Sequence, residues 1–114
     1  MVLKPEEKRR SPRIRLRAPI RFQIRGLPQS DNAISDDISM GGLSFTSNRF
    51  IAPATPVMLE INVLARILHP AGRIAWSNTL AHSERNRLGI EFTELNPEEK
   101  GYLADFINMQ TGKL

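Results

Sequence analysis

Two short groups of residues carry the polar chemistry of this chain. The first is Arg9-Arg10-Ser11-Pro12-Arg13, in which Arg9 and Arg13 stand four apart. Guanidinium forks grip oxyanions and other paired acceptors bidentately, so such a group points to an anionic ligand. The second is Asp37-Ile38-Ser39-Met40-Gly41-Gly42, a carboxylate and a hydroxyl leading into a turn. Catalytic sets are missing from the sequence. There is no cysteine, which removes thiolate nucleophiles and Cys-based zinc sites. No phosphate-cradling GxxxxGK[ST], GxGxxG or GxSxG is present, and His69 and His82 are ordinary loop or edge histidines without metal-ligand spacing. Asp36 and Asp37 adjoin, but neighbours on a strand point to opposite faces, so they do not form an acid/base pair. The chemistry is that of a binder, without catalysis, cofactor or metal.

Charge segregation supports an anionic partner. Residues 1–25 carry nine basic groups against Glu6 and Glu7, a net of +7, whereas the remaining 89 residues carry a net of −3. A basic leader on a mildly acidic body favours nucleic acid, nucleotide or an acidic membrane surface, without choosing among them. At 114 residues the chain has the size of one domain. It contains no apolar run long enough for a membrane span, and its amino terminus has no apolar signal region. A cytoplasmic address is expected.

The elements that must position these groups are mostly strands. Ile14, Leu16, Ala18, Ile20, Phe22 and Ile24 alternate with Arg or Gln at most odd positions, which predicts a half-buried strand beginning properly after Pro19. Gly26–Asn32 reads as a turn and Ala33–Ile38 as a strand. Gly41-Gly42 reads as a tight reversal using positive φ. Further strands are expected at Leu43–Ser47, Val57–Val63, about 72–77 and about 88–93, with Asn78–Arg87 as a hairpin loop. Asn96-Pro97-Glu98-Glu99 is a helix start, and Tyr102, Leu103, Phe106 and Ile107 form an apolar stripe behind it. The expected fold is mostly β: a six-stranded antiparallel barrel with a C-terminal helix at about 96–110 and a flexible basic N-terminal arm.

Taken together, RxxxR (Arg9, Arg13) followed by DxSxxG (Asp37, Ser39, Gly42) on this layout resembles the PilZ family of bacterial cyclic di-GMP receptors. The strands Gly72–Trp76 (GRIAW) and Leu88–Phe92 (LGIEF) and the helix after NPEE extend the resemblance over nearly the whole chain. It implies a PilZ-type barrel at 14–114 and a ligand-binding arm at 1–13. It also implies cyclic di-GMP as ligand, with Arg9, Arg10 and Arg13 taking phosphates and the guanine O6/N7 edge. Asp37 would accept from guanine N1–H and N2–H2, Ser39 would bond base or phosphate, and Gly41 and Gly42 would keep the turn clear of the ligand. Lys8, just before the first motif arginine, would favour a stacked nucleotide pair. Trp76 would offer a stacking face, with a core or helix-packing role as its other reading.

Other readings stand beside these. Arg15, Arg17, Arg21 and Arg25 read as the solvated face of the first strand. Asp37 and Ser39 are also types that satisfy turn amides. Alternatives for the whole chain are a PilZ-like protein-interaction module without nucleotide binding, or a small basic barrel for single-stranded nucleic acid. The second is disfavoured because few aromatics interleave with the basic residues. A receptor of this kind is expected to act on a separate effector protein in motility or biofilm regulation, as a monomer or weak homodimer.

Overall fold

Period-two alternation becomes a closed ring. A computed structural model describes residues 12–112. Among them are strands β1 (Ile14–Arg15), β2 (Pro19–Ile24), β3 (Ser30–Ser39), β4 (Gly42–Ser47), β5 (Pro56–Val63), β6 (Arg66–Leu68), β7 (Ala71–Thr79) and β8 (Asn86–Glu94), followed by helix α1 (Pro97–Thr111). Six of these strands pair in the order β3-β2-β5-β7-β8-β4, and β4 returns to β3, so the antiparallel sheet closes as a barrel. Closure leaves these six strands without an open edge. The two short strands lie off the ring, β1 on β3 and β6 on β5.

Strand β5 shows most plainly why the sequence adopts this form. Val57, Leu59, Ile61 and Val63 are buried while Pro56, Met58, Glu60 and Asn62 are exposed, the inside-outside alternation a barrel requires. From β2 and β4, Phe22 and Phe45 meet inside with ring centroids 5.0 Å apart. Leu103, Phe106 and Ile107 of α1 join the same core. The helix begins as its sequence predicts. Asn96 Oδ1 accepts from Glu99 N–H at 2.9 Å and Pro97 opens the first turn, and Gly112 closes the helix in the left-handed region at φ 72°.

Several boundaries differ from the sequence reading. The lead-in to Pro19 breaks into a separate β1, and Ser35 bridges the gap: its Oγ accepts from Ala18 N–H at 3.0 Å and its hydroxyl donates to Leu16 O. The turn after β2 is shorter than Gly26–Asn32, because β3 already starts at Ser30 and its Asn32 lies opposite Arg21 of β2. In the irregular stretch before Gly72, β6 doubles back on β5 through Leu64, at φ 55°. The β7–β8 loop is only 80–85, since the ladder extends out to Thr79 and Asn86.

His69 is more than an edge histidine. Its N–H donates to Glu99 Oε1 at 2.8 Å and its Nδ1 lies 3.2 Å from Glu99 Oε2, while Glu99 itself is buried. One carboxylate thereby ties the first turn of α1 to the barrel, aided by Tyr102, whose hydroxyl donates to Val63 O at 2.8 Å. Glu99→Ala leaves a part-buried amide donor unpaired, a cost of about 2 kcal/mol. The expected result is a lower urea midpoint with unchanged slope; an unchanged midpoint would show that the helix docks through its apolar stripe alone.

Candidate functional site

The outer surface of β3, β4, β8 and β7 is where the motif residues meet. Strand register lines up Asp37, Ser44, Gly89 and Trp76 as successive cross-strand partners. Three strand spacings place Trp76 about 14 Å from Asp37 across the face. Alongside this row runs a second, in which Thr46 faces Arg87 and Arg87 faces Asn78.

Asp37 owes its place to a bulge. The β3–β4 register steps from Ser35↔Phe45 to Asp37↔Ser44, leaving Asp36 as the extra residue. The expectation that Asp36 and Asp37 point to opposite faces fails for this reason. A bulge breaks the strict alternation, and both carboxylates face the same guanidinium: Arg87 Nε lies 3.8 Å from Asp36 Oδ2 and Arg87 Nη2 lies 3.5 Å from Asp37 Oδ2. Arg87 also donates to Ser44 Oγ at 3.3 Å, and the Thr46 hydroxyl donates to Asp36 Oδ2 at 3.5 Å.

Arg13 approaches from the other side. Its Nη1 donates to Asp37 Oδ1 at 2.5 Å, with 38% of the Arg13 side chain and 19% of the Asp37 side chain exposed. Arg15, read from sequence as solvated face, lies directly across from Asp37 in the β1–β3 ladder. Lys8, Arg9 and Arg10 lie outside the described residues, as does the arm except for Pro12 and Arg13.

The hairpin that follows Asp37 differs from expectation in two respects. Neither Gly41 nor Gly42 has positive φ, and the reversal is held instead by Ser39, whose Oγ accepts from Gly41 N–H at 3.1 Å. Ser39 is buried and so fills the turn-capping role that its type allowed. Gly42 is needed for a different reason than ligand clearance: a Cβ there would stand 2.0 Å from Ile90 O on β8. The glycine lets β4 close against β8. Gly41 is exposed, with only Ser39 Oγ near a notional Cβ, at 3.9 Å.

Trp76 leaves the core because of a second irregularity. Ile74 pairs with Ile90 but Trp76 pairs with Gly89, so Ala75 is the extra residue and the shared parity of Ile74 and Trp76 does not persist. The indole lies over Gly89 and is 39% exposed. Sequence reasoning missed Arg87, Ser44 and Gly89. The signal available was the β8 segment Arg87-Leu88-Gly89, where a glycine between two core residues marks a close approach. Among the described residues, no cluster of His, Cys, Asp or Glu could hold a metal ion, and no helix is long and apolar enough to cross a membrane.

A family model for the PilZ domain matches residues 7–109. No curated protein matches the chain at a significant level. Among solved structures, the Bacillus subtilis inhibitor of motility MotI/DgrA superposes with a TM-score of 0.78 at 16% identity, covering 98% of this chain and 54% of its own. YcgR from Escherichia coli, solved in complex with c-di-GMP, gives 0.76 at 16% identity and covers 93% and 47%. The PilZ domain of CeSA from a cellulose-synthesising bacterium gives 0.61 at 19% identity over 90% and 97%. The chain spans about half the length of the first two. At these identities the likeness is one of fold.

The single tryptophan makes the Trp76–Gly89 contact directly observable. A Cβ at residue 89 would lie 2.3 Å from the indole Cε2 and Nε1, so Gly89→Ala must lift the ring off β8 into water. A red-shifted emission maximum with little change in melting temperature is the expected result. An unshifted spectrum would mean the indole does not rest on that strand in solution.

Proposed function

The chain belongs to the PilZ domain family, and on that premise we propose that it is a non-enzymatic receptor for cyclic di-GMP that signals to an effector protein. The observation that supports this most is the shared outer face, on which Arg13 and Asp37 stand at one end and the Trp76 indole at the other. Cyclic di-GMP carries two phosphodiester charges and two guanines. A carboxylate accepts from the N1–H and N2–H2 donors of guanine, which adenine lacks in that arrangement, and a guanidinium binds phosphate oxygens or the O6/N7 edge. An exposed indole stacks on a base. YcgR and the Klebsiella protein MrkH, both structural neighbours, are solved with c-di-GMP, which supports the same ligand here.

The proposed site comprises Arg9, Arg10, Arg13, Asp37 and Trp76, with Lys8 at its margin. Ser39, Gly41 and Gly42 hold the hairpin that carries Asp37. In the free protein Asp37 is already engaged by Arg13, so the ligand exchanges an internal ion pair for contacts of its own. Residues 1–13 serve as the ligand-binding arm of the barrel at 14–114, and the signal passes to the effector through that arm. Motility or biofilm formation is the output to examine first, given that one structural neighbour is an inhibitor of motility and another comes from a cellulose-synthesising bacterium.

Calorimetric titration tests the ligand. Cyclic di-GMP should bind at least about tenfold more tightly than cyclic di-AMP, a difference of about 1.4 kcal/mol. Arg13→Ala and Asp37→Ala should each weaken cyclic di-GMP by about tenfold or more while the domain stays folded. Equal affinities for the two dinucleotides would reduce the recognition to phosphate charge, and no binding would leave the protein-interaction module as the better reading.

Amide hydrogen exchange tests the signalling route. Exchange across residues 4–13 should slow markedly at saturating cyclic di-GMP, because the ligand's phosphates draw Arg9 and Arg13 onto one anion and its contacts offset the ordering entropy. If protection there is identical with and without ligand, the signal leaves by another surface.

A further inference from the structure

Asp37 is held on both of its oxygens, by two arginines from different parts of the chain. Arg13 takes Oδ1 from the segment that precedes the barrel, and Arg87 faces Oδ2 from within β8. The two contacts differ in kind. Both guanidinium groups are partly exposed, Arg13 at 38% and Arg87 at 45% of the side chain, but Arg13 lies ahead of β1, free of any barrel ladder. Arg87 sits mid-ladder, its backbone fixed between Thr46 of β4 and Asn78 of β7. Its guanidinium spans Asp36 at 3.8 Å, Asp37 at 3.5 Å and Ser44 at 3.3 Å. A planar fork with five donors can hold three acceptors in one orientation, which a lysine ammonium cannot match.

We propose that Arg87 is a specificity-determining positioning residue: it fixes the Asp37 carboxylate on the outer face so that, once Arg13 turns to the ligand, Oδ1 is presented to the guanine N1–H and N2–H2 donors. This rests on the cyclic di-GMP reading given above. Two carboxylates brought together by the Asp36 bulge repel one another, and in the absence of an intervening cation Asp37 swings away from Asp36. Arg87 removes that repulsion and at the same time directs one Asp37 oxygen inward along the strand row, leaving the other for a base. It acts through Asp37 and does not itself touch the nucleotide.

This role makes a differential prediction. Arg87→Ala should weaken cyclic di-GMP by about tenfold while leaving cyclic di-AMP affinity within about twofold, so the discrimination ratio collapses. Arg87→Lys, which retains the charge but not the fork, should fall between wild type and Arg87→Ala. Were Arg87 instead a phosphate contact, both dinucleotides would weaken together and the salt dependence of binding would flatten, which would overturn the proposal. Undiminished discrimination in Arg87→Ala would overturn it as well.

A ligand-free readout separates this from the ligand assignment. The Asp37 χ1 rotamer, measured by NMR scalar couplings in the free protein, should be single in wild type and averaged in Arg87→Ala, with melting temperatures confirming that both are folded. If wild type binds no cyclic di-GMP, the functional reading fails while the couplings still decide whether Arg87 fixes Asp37. A single unchanged rotamer in Arg87→Ala sinks the positioning role whatever the ligand is.

Discussion

Closure of β4 against both β3 and β8 is the constraint on which the rest depends. A sheet of six twisted strands meets itself only if its last strands approach closely, and here β8 backbone comes within 2.0 Å of where a side chain on Gly42 would start. Closure gives each of the six strands a paired neighbour on both sides, so most backbone donors along the ring find a ladder partner. It also fixes which residues face outward in register, since each strand is pinned on two sides. The row of outward residues on the candidate face follows from that pinning. Asp37, Ser44, Gly89 and Trp76 belong to four strands, β3-β4-β8-β7, that are consecutive neighbours in the ring.

The two bulges are the means by which a regular barrel acquires an irregular polar surface. Without Asp36 as the extra residue of β3, a strict alternation would place only one of the two adjacent carboxylates outside. If Ala75 were an ordinary paired residue of β7 rather than a bulge, strict alternation would send the indole of Trp76 inward with Ile74. Each of these bulges adds one residue on one strand, Asp36 opposite β4 and Ala75 opposite β8, and β8 carries an extra residue of its own at Thr93, where the register steps from Ala71↔Glu94 to Gly72↔Phe92. Bulges commonly re-aim side chains beside sites, and here both lie on strands that border the same face.

How far the sequence was legible follows from this. Strands whose alternation is uninterrupted, β5 above all, could be read directly, and so could the helix, because its cap, proline and apolar stripe are local signals. The pairing of RxxxR with DxSxxG located Asp37 and Arg13, which the structure joins. What escaped were features whose cause is distant in sequence. His69 and Glu99 are 30 residues apart, and Arg87 meets Ser44 across 43. Bulges are equally hidden: a one-residue slip leaves composition and hydropathy untouched while reversing which face every later residue adopts. The role of Gly42 was misread for the same reason, since its contact is with a strand almost fifty positions away.

The two arginines on Asp37 differ in how their backbones are held, Arg13 ahead of β1 and Arg87 within the β8 ladder. An ion pair as exposed as Arg13–Asp37 is worth little in itself, because water and salt screen it and two flexible side chains must be held. In the proposed receptor that weakness would suit a contact the ligand displaces, since a buried, well-satisfied pair would set a barrier comparable to the binding energy released. Arg87 is no less exposed, and differs from Arg13 in that its backbone is fixed in the ladder. It is anchored mid-strand, lies within ion-pair distance of both carboxylates and donates to Ser44 Oγ. A recognition carboxylate that lost both partners at once would be free to reorient, and discrimination between bases would fall to that of charge alone. In the proposed receptor, one partner fixed in a ladder and the other outside it would let a weak internal contact cover the site without loosening Asp37.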